Sequence, residues 1–202
     1  MVLGLQNSVP FEQLTHDPVT LADMAWYVGA ISNLGIVLWT AALVTAAGGA
    51  WVAARTGRPS AARFLGTGSV VGIILMLDDL FQFHADLLPN RLGVGKSVAL
   101  ALVLTPALCW VIGWRADIAR SRWMILAASG IGSACSLVAD RVGDSAGTSA
   151  LMVEDGAKLL AIVAWAVYFT TTTTDIVASA IDRQPRTDID ATVNGGAAKL
   201  GT

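Results

Sequence analysis

The chain has 202 residues, of which 54% are hydrophobic and 14% are charged, and its mean hydropathy is +0.62. An average soluble domain carries about 25% charged residues, so this composition excludes an ordinary soluble domain and indicates an integral membrane protein. Each membrane crossing takes about 20 residues, which leaves room for one compact helical bundle. The formal net charge of −2 gives no reason to expect nucleic acid as a partner.

The apolar residues divide the chain into a short arm, a bundle and a tail. The arm, residues 1–22, contains neither lysine nor arginine, so it lacks the basic start of a signal peptide and we expect it to be retained on the non-cytoplasmic side. Residues 182–202 have the polar composition of a disordered tail. Residues 23–181 predict an all-α bundle of about five transmembrane helices, at about 24–53, 64–88, 96–114, 123–140 and 150–176.

Basic residues are distributed unequally between the two ends of this predicted bundle. Eight fall in the loops after the first and third segments and at the start of the tail: Arg55, Arg58, Arg63, Arg115, Arg120, Arg122, Arg183 and Arg186. The opposite loops hold three: Arg91, Lys96 and Arg141. Arginine and lysine near membrane spans concentrate on the cytoplasmic side. We therefore expect the N-terminus outside, the C-terminus in the cytoplasm, and the plasma membrane as the location.

The second segment contains the stretch LMLDDLFQFHAD, residues 75–86, which places acids and a histidine at membrane depth. A carboxylate at the bilayer centre costs roughly 2.5–3.5 kcal/mol, so it persists where a partner, a cavity or a bound ion compensates it. Asp78 and Asp79 are adjacent and therefore point about 100° apart on a helix, so each needs its own polar surroundings. This pair predicts a polar site inside the membrane.

Polar residues on three other segments fall at the same predicted depth. Glu154, Asp155 and Lys158 begin the fifth segment, and Lys158 lies at helical spacing from both acids. The residues that we expect to line a common, outward-opening cavity and contact substrate are Asn33, Gln82, Ser133, Ser136 and Asp140. Ser129 continues the polar edge of the fourth segment, and Gln82 lies between Asp79 and Asp86 on one helix face.

Two kinds of chemistry fit this set. The candidate acid–base or catalytic residues are Asp78, Asp79, Glu154, Asp155 and Lys158. Carboxylates with one histidine also suit a divalent metal ion as cofactor, and the candidate ligands are Asp78, Asp79, His84, Glu154 and Asp155. On a regular helix His84 would lie about 140° from Asp79, so joint ligation requires an irregular helix end.

Three functions remain open at this point. The first is a membrane-embedded, metal- or carboxylate-dependent enzyme that acts on a lipid or another apolar substrate from the outer half of the bilayer. The second is a proton or cation carrier, and the third is a non-catalytic subunit that docks a membrane partner or a second copy through its polar helix faces. A carrier needs access from both sides, whereas the inner halves of the segments are almost purely apolar and show no inverted repeat. The pattern favours a one-sided site in contact with the lipid bilayer.

Overall fold

The computed structural model describes residues 18–25, 27–142 and 148–182. Within these ranges there are five long helices: α1 (Ala30–Arg55), α2 (Pro59–Phe81), α3 (Lys96–Gly113), α4 (Trp123–Val142) and α5 (Thr148–Ile181). The shorter helical segments are Pro18–Leu21, the π-helical Phe83–Arg91 and Arg115–Arg120, and these ranges contain no strand. All five long helices are long and apolar enough to cross a membrane, which confirms the all-α class and the expectation of five helices of membrane-spanning length.

The helices are arranged around α1. It packs against both α2 and α5, while α4 lies against α5 and α3 lies against α2. Gly132 marks the close approach of α4 to α5, because a Cβ at this position would lie 3.0 Å from the carbonyl oxygen of Ala157. The helices α1, α2 and α5 therefore form the centre of the bundle, and α3 and α4 form its flanks.

Aromatic side chains fill the middle of the bundle. The Trp165 ring centroid lies 5.7 Å from that of Trp39, 6.0 Å from that of Trp110 and 5.0 Å from that of Phe169. Phe64 stacks on Trp110 at 5.2 Å, and all five of these side chains are buried. Aromatic pairs of this kind contribute about 0.5–1.5 kcal/mol beyond their buried area. The result is a packed, apolar layer across the centre of the bundle.

The outer surface of the bundle is also apolar. Every long helix exposes large aliphatic side chains, for example Val44, Val70, Leu108, Ile131 and Leu160, each at least 56% exposed. A soluble monomer rarely presents a contiguous apolar surface larger than a few hundred Å². Lipid contact accounts for such a surface, so the structure agrees with a membrane protein.

Two helix boundaries differ from the predicted spans because the backbone enters the left-handed region. Gly29 has φ 77°, and α1 begins after it at Ala30 rather than near residue 24. Gln82 has φ 51° and ends α2 at Phe81, although the predicted span continued to residue 88. A positive φ is uncommon for a residue other than glycine, and the apolar pattern gives no signal for it. The fifth helix extends beyond its predicted end to Ile181.

The two ends of the bundle carry different charges. We call the end with Asp78, Asp79, Asp140, Glu154 and Asp155 the acidic end, and the end with Arg55, Arg58, Arg63, Arg115, Arg120 and Arg122 the basic end. The aromatic layer lies between them. Most of the predicted arm and tail, with Arg183 and Arg186, lies outside the described residues, and the orientation of the bundle in a membrane remains a prediction.

Candidate functional site

Asp79 and Lys158 form an ion pair between α2 and α5 at the acidic end. The carboxylate of Asp79 is 6% exposed, whereas the side chain of Lys158 is 47% exposed. Gly35 lets α1 approach the same point, since a Cβ there would lie 3.8 Å from Asp79 Oδ2 and 3.2 Å from Ile162 Cδ1. The three central helices therefore meet around the buried carboxylate.

A cavity of about 260 Å³ adjoins this ion pair, and we call it the acidic-end pocket. Its polar lining comprises Tyr27, Ser32, Asp79, Asp155 and Lys158. Its other walls are backbone or apolar side chains, namely Gly29, Ala30, Ile31, Gly35, Leu159 and Ile162. Three of the five predicted catalytic residues thus lie around one pocket, as expected for convergence of the second and fifth segments.

Asp78 has a different partner. Its Oδ2 lies 2.6 Å from His84 Nδ1, and its Oδ1 accepts a hydrogen bond of 2.9 Å from the backbone N–H of His84. The left-handed Gln82 makes this contact accessible, because it ends α2 and lets the chain re-enter a helical turn at Phe83. The irregular helix end therefore connects His84 with Asp78 and not with Asp79. In the described part of the chain, Nε2 of His84 has no hydrogen-bond partner.

A third acid at this end is also paired. Asp140 of α4 lies 3.2 Å from Lys96 at the start of α3, and both side chains are partly exposed. Glu154 interacts electrostatically with this pair as well as with Asp155 and Lys158. Glu154 forms no ion pair of its own among the described residues and does not line the acidic-end pocket.

The predicted metal ligands do not converge on one ion. Among the described residues, there is no group of three or more His, Cys, Asp or Glu side chains that could hold a metal. Asp78 is directed to His84 and Asp79 to Lys158, as the angle between adjacent helical residues requires. The prediction of a divalent cofactor at Asp78, Asp79, His84, Glu154 and Asp155 consequently has no support from the structure.

The predicted substrate-lining residues lie elsewhere than the acidic-end pocket. Asn33 and Gln82 are exposed, and Ser133 is exposed with its hydroxyl donated to the Ser129 carbonyl at 2.9 Å. Ser136 is buried, and Asp140 binds Lys96. These five residues are therefore not brought together around Asp79.

Ser32 and Tyr27 also line the pocket with polar groups, although neither was a predicted site residue. Ser32 lies three residues before Gly35, so both fall on the α1 face that approaches Asp79. That spacing of a serine and a glycine, opposite a predicted acidic helix, is a signal that the sequence does contain. Tyr27 precedes α1 and gave no comparable signal.

Fold and site together define the class of protein: an all-helical chain with five helices of membrane length and a set of paired charges at one end of the bundle. The chain belongs to the family described as a domain of unknown function, DUF8692, whose model matches residues 1–172. No curated protein and no solved structure matches it. The function is therefore inferred from the geometry of the site.

Proposed function

We propose that this chain is a plasma-membrane enzyme that binds a lipid or another amphipathic substrate in the acidic-end pocket. In this proposal the acidic end faces outward and the basic end faces the cytoplasm. The observation that carries it is the ion pair of the buried Asp79 carboxylate with Lys158, which lines a pocket with otherwise largely apolar walls. The polar head of the substrate would bind at the Asp79–Lys158 pair, and its apolar chain would extend out of the pocket along the lipid-facing helices.

The lining supports recognition of a polar head. Asp155 and Lys158 are exposed and present opposite charges, and Ser32 adds a hydroxyl that donates or accepts. The volume of about 260 Å³ is at the small end for ligand sites, which suits a head group rather than a whole lipid. Ile31 in the pocket wall and Leu160, next to the lining residue Leu159, are 57% and 69% exposed, so apolar side chains are available to an apolar chain.

The same residues supply acid–base chemistry. Asp79 holds the Lys158 ammonium, which is an acid and a donor to an oxygen of the substrate head. Asp155 is an exposed carboxylate in the same pocket and is the candidate base. Asp79 is a positioning residue in this scheme, because its carboxylate is buried behind Lys158.

A second candidate, a subunit that docks a membrane partner or another copy, is favoured by the surface of α4. Only 11% of the apolar stretch of α4 is buried, compared with 39% for α2 and for α5. Gly130 and Ala134 are both exposed and lie four residues apart. Nothing lies within 4 Å of the position that a Cβ at Gly130 would take. Small residues at this spacing allow two membrane helices to approach closely.

The carrier function has less support. The side chains of Trp39, Trp110, Trp165 and Phe169 pack as a buried apolar layer between the two ends of the bundle. Proton or cation passage needs polar groups or water along the way. The acidic-end pocket is therefore a site with access from one end.

A photoactivatable phospholipid with a diazirine in one acyl chain would test binding, and thin-layer chromatography of the recovered probe would test turnover. We expect Asp79→Asn and Lys158→Met each to lower crosslinking by about tenfold, because a hydrogen bond to a charged group is lost. Asp140→Asn and Lys96→Met are matched controls, since they change the same charges at the same end outside the pocket.

The outcomes separate the candidates. Equal crosslinking of all four variants and the native chain would contradict the lipid site. Crosslinking that depends on Asp79 without any turnover would contradict the enzyme and retain the binding site. Loss of a dimer on Gly130→Leu, with pocket variants unaffected, would instead favour the docking subunit.

Orientation is tested separately. With the basic end in the cytoplasm, a tag after Thr202 should be labelled only after cells are permeabilised, and a tag before Met1 should be labelled in intact cells. The opposite pattern would invert the proposed direction of access to the pocket.

A further inference from the structure

The basic end contains a second, larger cavity. It measures about 410 Å³ and lies between the start of α2, the short helix Arg115–Arg120 and the last third of α5. Its lining residues are Arg58, Ser60, Ala61, Phe64, Asp117, Arg120, Ser121, Thr172 and Ile176. Two arginines and three residues with hydroxyl groups therefore line one space.

Arg58 is held in place at the wall of this cavity. Its Nη1 donates to the carbonyl oxygen of Ile176 at 2.5 Å and to Ser179 Oγ at 2.7 Å, which fixes the α1–α2 loop to α5. Both acceptors are neutral, and no carboxylate pairs with Arg58 among the described residues. The guanidinium keeps its full charge and its remaining N–H donors for a ligand.

Arg120 has even fewer contacts. The structure gives it neither an ion pair nor a side-chain hydrogen bond within the described ranges. Its neighbour Arg122 is different, since its Nε lies 3.4 Å from Asp175 Oδ2. Arg63, outside the cavity, donates to the carbonyl oxygen of Pro59 at 3.3 Å. Arg120 is thus a cavity-lining cation without a protein partner in the described part.

We propose that this cavity binds a phosphate group. Guanidinium groups match the geometry of phosphate oxygens and donate two parallel hydrogen bonds to them. Ser60 is the second residue of α2, so its hydroxyl lies beside the backbone N–H groups at the N-terminus of a 23-residue helix. Two arginines against the single Asp117 leave the lining with an excess of one positive charge.

Two sources present this chemistry: the head group of a phospholipid in the adjoining leaflet, and free phosphate in solution. The cavity volume falls in the usual range for ligand sites and exceeds the space that a phosphate alone needs. Asp117 adds a carboxylate that would bind an amine of a zwitterionic head group. Both sources require Arg58 and Arg120.

The experiment uses the full chain in nanodiscs that contain either phosphatidylcholine alone or phosphatidylcholine with 10% phosphatidic acid, and native mass spectrometry counts the retained lipid. A parallel titration adds inorganic phosphate and follows thermal unfolding. Arg120→Gln is the principal variant, because it removes no side-chain hydrogen bond or ion pair within the described residues. We expect it to weaken phosphatidic acid retention or phosphate binding by about tenfold. Arg63→Gln is the matched control outside the cavity, and Asp117→Asn should strengthen binding of the anion.

Each outcome decides the proposal. Arg120-dependent retention of phosphatidic acid without a response to phosphate supports a lipid head group, and an Arg120-dependent response to phosphate supports a free anion. Equal losses in Arg120→Gln and Arg63→Gln would reduce the effect to general surface charge and overturn the site. Absence of binding in both arms, with the native chain folded, would overturn it as well.

Discussion

The acidic and basic ends of the bundle treat their charges differently. At the acidic end, Asp78, Asp79 and Asp140 each contact a basic side chain of another segment or turn. At the basic end, Arg58 is bound to neutral oxygens and Arg120 to no protein group in the described part. Three of the five carboxylates at the acidic end are therefore compensated within the chain, whereas Arg58 and Arg120 at the basic end leave positive charge for water or an external anion.

Burial of Asp78 and Asp79 among the helices explains this difference. A buried charge without a partner costs several kcal/mol, so carboxylates among apolar helices are retained when a cation accompanies them. Arginines at the end of a bundle reach the interface, where water and phosphate groups solvate them. We therefore expect that breaking an ion pair at the acidic end lowers the stability of the fold, whereas removing an arginine at the basic end weakens anion binding.

The largest effect is expected for Lys158→Met, which leaves the Asp79 carboxylate buried and unpaired. Breaking a buried pair costs about 3–5 kcal/mol, and the partial exposure of Lys158 places the expected loss near the lower bound, at about 3 kcal/mol. Unfolding in mixed dodecyl maltoside and SDS micelles, followed by fluorescence of the seven tryptophans, measures it.

The double variant Asp79→Asn with Lys158→Met is the control for this prediction. It removes both charges, so most of the lost stability should return, since a neutral pair leaves no uncompensated charge. A double variant no more stable than Lys158→Met alone would mean that packing, and not charge, determines the effect.

Gly68→Ala should disturb the aromatic layer between the two ends. An added Cβ would lie 2.6 Å from the Phe169 ring and 3.1 Å from the Trp110 ring, and neither buried ring has room to move. Overpacking of this kind costs typically 1–3 kcal/mol, and we expect about 2. Unfolding in the same micelles measures the loss.

Gly130→Ala is the matched control for this substitution, because nothing lies within 4 Å of its Cβ position. It should be neutral or stabilising by up to about 1 kcal/mol. Equal effects of the two glycine substitutions would show that helix propensity, not the close approach of the rings, governs this layer.

The sequence predicted the fold better than the site, for identifiable reasons. Hydropathy over about 20 residues defines a membrane helix, so the helical class and the five helices of membrane-spanning length followed from the apolar stretches of the sequence. The break at Gln82 did not, because LFQFHADLL stays apolar enough to continue a helix while a single φ of 51° ends it. The predicted stripe of Asp79, Gln82 and Asp86 needed an uninterrupted helix and is therefore not formed.

Pairing required information that no helical period contains. Asp79 and Lys158 were both candidates, and their shared depth was correctly estimated from topology. Their direct contact depends on how the three central helices pack, and Gly35 of α1 lies against both Ile162 and Asp79 at this point. Ser133 of α4 is exposed away from the centre, a result that the serine spacing in that helix cannot predict.

His84→Gln tests the second pair and should cost less, about 1.5 kcal/mol. Asp78 loses the 2.6 Å contact with the imidazole but keeps the hydrogen bond from the backbone N–H of residue 84, so its carboxylate stays partly satisfied. Chemical denaturation compared with Asn90→Ala gives the measurement. Asn90 binds the exposed Asp86 in the same π-helical segment, and its loss should have little effect. A larger effect of Asn90→Ala would mean that the segment, not the Asp78 pair, responds to substitution.

Lys96→Met should have the smallest effect at the acidic end. Its partner Asp140 is 35% exposed and Lys96 itself is 48% exposed, so water solvates both charges when the contact is lost. Exposed ion pairs contribute about 0.2–1 kcal/mol, and we expect about 0.5 from unfolding in the same micelles. Because Lys96 and Lys158 carry the same charge at the same end, the difference between their variants isolates burial of the partner carboxylate. A loss of about 3 kcal/mol for Lys96→Met would contradict burial as the cause and would instead assign the stability to net charge at this end.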